Sequence, residues 1–183
     1  MLWVLAGAAI LILWAVATYN GLVQLRVRAD GAWSDINVQL KRRYDSIPNL
    51  VETVKGYAAH EQKVFIQVTE ARSRAMQAVS PKEKEAAEGM LTGTLKSLFA
   101  VAENYPQLRA NEDFMGLQQS LTQVEEAVQS ARRYYNAVVR DYNTKLTVLP
   151  DRVIAQAGGF TPKKFFQLDS AEEAKAPKVS FSA

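Results

Sequence analysis

Apolar residues open the chain in an unbroken block and then thin out into periodic seams. Met1 to Tyr19 reads MLWVLAGAAILILWAVATY without a charge, and no charged side chain occurs before Arg26. At about 1.5 Å per residue, roughly 20 residues cross the hydrocarbon core of a bilayer, so the block predicts a membrane span over residues 1–25. Trp3 and Tyr19 fall near its two ends, where amphipathic aromatic side chains prefer to sit. A buried core helix is one competing reading. A cleaved signal peptide is the stronger one, because Ala15-Val16-Ala17 has the small-x-small form of a cleavage site. No basic residue precedes the block, which favours a retained anchor.

Beyond the block, four seams recur at spacings of mostly three and four. The first is Leu22, Leu25, Ala29, Trp33, Ile36, Leu40. The second follows Pro48: Leu50, Val54, Tyr57, Glu61, Val64, Val68, Ala71, Ala75, with Glu61 its one polar member. The third is Leu91, Leu95, Leu98, Ala102, Tyr105, and the fourth runs from Phe114 through Leu121, Val128 and Tyr135 to Tyr142. Such spacing keeps one stripe on one face of a helix, whereas a strand would scatter it over both faces.

The punctuation between seams agrees. Ser80-Pro81-Lys82-Glu83 offers an N-cap serine, proline at the first helical position and glutamate three residues after the cap. Asn111 precedes two acids that suit the positive end of a helix dipole. Leu149-Pro150 ends the fourth segment. A first corner is predicted within 41–48, with Lys41, Arg42 and Arg43 in the last turn of one helix, Asp45 or Ser46 capping the next, and Pro48 in its first turn. Short links between long amphipathic helices imply antiparallel neighbours. The expected fold is all-α: a single-pass transmembrane helix (1–25) running into an antiparallel up-down-up-down four-helix bundle (26–149), then an amphipathic and extended tail (150–183).

Charge changes the picture little. The 22 Lys and Arg against 19 Asp and Glu leave a formal +3, and the signs alternate instead of clustering, which argues against a nucleic-acid partner. There is no cysteine, so disulfides, thiolate metal sites and a cysteine nucleophile or lipid anchor are excluded. His60-Glu61 lacks the second histidine that an HExxH zinc site needs, since position 64 is Val. No spacing joins a nucleophile to an oriented base, and Gly158-Gly159 follows no strand as a phosphate loop would. No catalytic, metal or cofactor site and no small-molecule substrate is expected.

On these residues the chain resembles the LemA family. The likeness is carried by Tyr19-Asn-Gly-Leu-Val23, Ala32-Trp-Ser-Asp-Ile36, Gln39 to Asp45, Ile47-Pro-Asn-Leu-Val-Glu-Thr-Val-Lys-Gly-Tyr-Ala58, Ala102 to Glu112, Tyr134 to Asn143, Gly159-Phe-Thr-Pro162 and Ala176-Pro-Lys-Val. The resemblance implies a membrane-tethered helical bundle with no catalytic residues to carry over. Some members have a lipid-anchor cysteine after the hydrophobic segment, which this chain lacks.

Candidate contacts follow from position. Arg26 and Arg28 directly follow the span, which by the positive-inside bias favours a cytoplasmic domain on a bacterial inner membrane, the periplasmic side staying open. If the helices alternate in direction, the chain after Pro150 returns to the bilayer, where Phe160, Lys163, Lys164, Phe165 and Phe166 suit the headgroup boundary; packing on the bundle is the competing reading. Lys41, Arg42 and Arg43 lie too far along the first helix for headgroup attraction and stand as partner-interface candidates. Glu61 is a candidate for a buried acid that fixes register. The expected partners are the lipid bilayer, further copies of the chain and an envelope protein. The expected role is scaffolding or membrane organisation through self-assembly, with a transmembrane signalling or adaptor protein as the alternative.

Overall fold

The computed structural model describes residues 1–166, and within them every regular element is helical. In chain order these are α1 (Leu2–Lys55), α2 (Gln62–Gln77), α3 (Pro81–Glu103), the single turn α4 (Pro106–Arg109), α5 (Glu112–Thr147) and α6 (Asp151–Ala157). The expectation for the last stretch, Ser170 to Ala183, lies outside the described residues. The described residues divide into two compact units: residues 1–43 with 122–165, and residues 44–121 with Phe166.

α1 corrects the predicted first corner. It runs for 54 residues through Lys41-Arg42-Arg43 and through Pro48 without a break. The cations are therefore mid-helix, and neither Asp45 nor Ser46 is a cap. A proline within a helix removes the amide that would bond to the carbonyl four residues back, here that of Tyr44. The Arg72 guanidinium supplies the missing donor, its Nε lying 2.7 Å from the Tyr44 oxygen. The actual corner is Gly56 to Glu61, where the helix loosens into bonds three residues apart, such as Tyr57 N–H to the Val54 carbonyl at 3.1 Å. Glycine is a poor helix former, and the buried Ala58 holds the turn inward.

In the first unit, α1 buries Leu22, Ala29, Ala32, Ile36 and Leu40, and α5 buries Val124, Val128, Tyr135, Val138, Val139 and Tyr142. Partner positions climb along α1 as they descend along α5. Lys145 Nζ comes within 3.5 Å of where a Cβ on Gly21 would stand. The Trp33 and Tyr135 rings lie 5.4 Å apart, and Arg43 pairs with Glu125 at 3.0 Å.

In the second unit, Ile47, Leu50 and Val54 of α1 share a core with Phe65, Val68, Ala71 and Ala75 of α2 and with Leu91, Leu95, Leu98 and Ala102 of α3. The capping box at Ser80 is complete: its hydroxyl accepts from the Glu83 amide, and the Glu83 carboxylate accepts from the Ser80 amide. The Ser80 and Val79 amides, with the Ser80 hydroxyl, hold the Glu83 carboxyl below the usual carboxylate range. Asn111 caps α5 by accepting from the Phe114 amide at 2.8 Å, and Phe99 and Phe114 meet edge to face.

Candidate functional site

Among the described residues only α1 is long and apolar enough to cross a membrane. Its residues 1–13 are exposed on every face, and cover begins at Trp14, Ala15 and Thr18. The features closest to that border are the end of α5, the short α6 and the segment that follows.

α6 ends at Gly158-Gly159, which carry the turn by different means. Gly159 has φ +67°, a left-handed conformation that glycine adopts without strain. A Cβ on Gly158 would stand 2.7 Å from the Phe160 ring, so only glycine lets that ring fold back. The Phe160 amide bonds to the Ala155 carbonyl at 3.0 Å, closing the six-residue loop of a Schellman ending.

From Phe160 the chain runs as an extended strap over the α1 and α5 surface. The Phe160 ring meets Tyr19 edge-on at 5.4 Å, and the Arg26 guanidinium sits 5.5 Å above it. Tyr142 donates its hydroxyl to the Thr161 carbonyl at 3.1 Å, and Tyr135 donates to the Lys164 carbonyl at 2.8 Å. Asn143 clasps Lys163 from both sides, donating to its carbonyl at 2.8 Å and accepting from its amide at 2.9 Å. Lys163 Nζ also reaches Asp30 at 2.6 Å. Burial first, and the nearby Asp30 charge second, push the Tyr135 hydroxyl above the ordinary phenol range. Burial and Asp30 raise Tyr142 as well, against the opposing pull of Arg26. Both phenols thus keep the protons they donate to the strap.

These contacts rank in strength. Asp30 is 63% exposed, so its pair with Lys163 is worth at most about 1 kcal/mol. The two Asn143 bonds are partly buried and together contribute about 1–3 kcal/mol. Asn143→Leu is therefore expected to speed hydrogen exchange at the Lys163 amide several-fold, while Lys163→Met leaves it slow. The reverse order would show that the ion pair, not the amide clasp, holds the strap.

The sequence-predicted contacts separate on this geometry. Phe166 is fully buried, and the Phe160 ring is half-buried against Tyr19, so both side chains pack on the protein. Lys163 is engaged with Asp30. Arg26, Arg28, Lys164 and Phe165 are exposed, Phe165 to 43%. Of the three mid-helix cations, Lys41 and Arg42 are exposed, whereas Arg43 is buried and bound to Glu125. Glu61 is no mid-helix acid: it occupies the residue before α2, half-buried, with no side-chain capping bond.

The buried acid is Glu88, fully inaccessible on α3. The Tyr44 hydroxyl donates to it, and Lys84 stands one turn earlier on the same helix. Burial lowers the Lys84 ammonium from the ordinary lysine range, and the Glu88 charge partly opposes that shift. The third seam signals both residues: continued backward from Leu91 at the same alternation, it passes through Glu88 and Lys84. The remaining signal for Tyr44 is its position four residues before Pro48. On the same unit an open groove is lined by Val51, Lys55, Phe65, Ile66 and Glu70.

Comparison with known proteins adds relatives. The chain is 25% identical over 175 residues to magnetosome protein MamQ 2 of Paramagnetospirillum magneticum, a match covering 81% of this chain and 64% of that protein. It is 24% identical over 174 residues to magnetosome protein MamQ of Magnetospirillum gryphiswaldense, with the same coverage. The chain thus spans less than two thirds of the length of these relatives. Protein LemA of Metamycoplasma hominis is 23% identical over 161 residues, covering 86% of this chain and 72% of that protein. The LemA family model matches residues 32–181, most of the α-helical body described above and the segment beyond it, and the chain belongs to the LemA family.

Proposed function

We propose that this chain is a single-pass membrane protein with a structural, membrane-organising role, exerted through assembly with further copies of itself. In this reading residues 1–25 are the anchor, residues 26–149 form an antiparallel up-down-up-down four-helix bundle, and residues 150–183 are a tail beside the membrane. The observation that carries it is the continuity of α1: the apolar segment and the amphipathic one are a single helix, with no linker between anchor and folded part. A flexible tether would serve a domain that acts alone, whereas a rigid junction holds many copies in a common orientation. That two relatives are named as magnetosome proteins supports a place for this chain in a cellular structure. Arg26 and Arg28 beside the span support an inner-membrane protein with its domain in the cytoplasm.

The test is the mass of the full-length protein extracted in mild detergent, together with cross-linking in native membranes. The expected result is a homo-oligomer in both. A strictly monomeric particle that co-purifies with one soluble protein would replace this reading with the adaptor reading.

A further inference from the structure

The end of α5 leaves an apolar cluster uncovered. Val148 is 45% exposed, Leu149 74% and Val153 57%, all within six residues of chain at the turn between α5 and α6. Their height along α1 is fixed by contacts within the same unit. Lys145 reaches Gly21, and α5 continues two residues further to Thr147, so the turn beyond it advances in the direction of Trp14. The first covered positions of α1, Trp14, Ala15 and Thr18, lie at that height, and Phe160, just after α6, meets Tyr19 edge-on. Val148, Leu149 and Val153 are therefore level with the last turns of the uncharged segment, not with the polar face that begins at Arg26.

Charge around the cluster is one-sided. Between residues 19 and 30 and between 140 and 165 the acids are Asp30, Asp141 and Asp151, each with a cation within 4.0 Å: Lys163, Arg140 and Lys145. Arg28, Arg152 and Lys164 have no ion pair among the described residues, and Arg26 faces the Phe160 ring. Arg152 lies between Leu149 and Val153, where a long cationic side chain can bury its stem in apolar surroundings and extend its head to water.

We infer that the α5–α6 turn is a second membrane contact: Val148, Leu149 and Val153 enter the headgroup–acyl boundary of the leaflet through which α1 leaves, and Arg26, Arg28, Arg152 and Lys164 engage anionic headgroups there. The inference rests on the reading that α1 is embedded up to about Tyr19. The occupant of the exposed face is the bilayer because the face is continuous with the span and its rim carries only excess positive charge, the pattern that binds an interfacial segment to anionic lipid. The apolar contact lies on the α5–α6 turn, not on the phenylalanines of the strap.

The absence of cysteine makes the test direct. Single-cysteine variants of the full-length chain, Leu13→Cys, Ser130→Cys, Leu149→Cys and Val153→Cys, are labelled with an environment-sensitive fluorophore. They are then reconstituted in vesicles of phosphatidylcholine and phosphatidylglycerol containing a lipid-borne quencher. The expected result is quenching at 149 and 153 comparable to that at 13 and several-fold above that at 130. Quenching at 13 without quenching at 149 and 153 overturns the inference while the anchor stands. No quenching at 13 overturns the anchor and the inference with it. Protection of 149 from aqueous quenchers without lipid quenching would assign the face to another copy of the chain. In phosphatidylcholine alone, quenching at 149 and 153 is expected to fall while that at 13 holds; equal values in both vesicles would remove the headgroup recognition.

Discussion

Replacing Glu88 by alanine is expected to destabilise the protein by about 3–5 kcal/mol, the range for removing one partner from a buried charged cluster. Glu88 is fully inaccessible, accepts the Tyr44 hydroxyl, and supplies the charge that offsets the desolvation of Lys84. The truncation would leave a cavity, a phenol with only its longer bond to the Ala75 carbonyl, and an ammonium that has lost the Glu88 charge. Glu88→Gln keeps the shape and an acceptor for Tyr44 but removes the charge, so its cost falls between wild type and Glu88→Ala. Denaturant unfolding in detergent measures the series, and a Glu88→Ala cost below about 1 kcal/mol would show that the cluster contributes little. The pH dependence has a definite sign. The folded value of Lys84 is depressed, so its penalty is full at neutral pH and fades as pH rises from the depressed value toward the ordinary lysine range. In Glu88→Ala the penalty grows, and stability recovers more steeply on the alkaline side.

The second large effect concerns Pro48. Arg72→Ala is expected to cost about 1.5–3 kcal/mol, because the Tyr44 carbonyl loses a charged donor inside the helix. In a Pro48→Ala background the backbone regains its own amide at that carbonyl, and the cost of Arg72→Ala should shrink. A double-mutant cycle gives the coupling, expected to exceed about 0.5 kcal/mol for groups in direct contact. Equal costs in both backgrounds would show that the guanidinium does not stand in for the missing amide. The freed carbonyl is answered from α2, an answer that exists only once α2 is in place.

That long-range answer explains what the residues did and did not disclose. The all-α class and the starts of α3 and α5 were legible, because each depends on neighbours a turn away. Ser80 needs only Glu83, and Asn111 only Phe114. The first corner was misplaced because local rules disfavour Pro48 within a helix, and the compensation comes from Arg72, 24 positions on. The heptad spacing ran on from Val54 through Glu61 to Val64 although the backbone turns at Gly56. The pattern measures spacing along the sequence, and the turn happens to preserve it. The strap phenylalanines suggested lipid, but whether an aromatic ring faces lipid or its own protein depends on what stands opposite. Tyr19 and Arg26 stand opposite Phe160, more than a hundred residues earlier in the chain.

The unbroken α1 has a consequence for orientation about its own axis. Each residue turns the helix by about 100°, so the packed stripe at Leu22, Ala29, Ile36 and Leu40 fixes which side of residues 1–13 points in every other direction. The apolar segment is keyed in azimuth to the folded part, and one residue inserted near Asn20 would swing the whole of it by more than a quarter turn. Seven inserted residues, close to two full turns, would bring it back into phase. Any surface that the apolar segment offers to a neighbour is thereby chosen by the packing of the rest of α1.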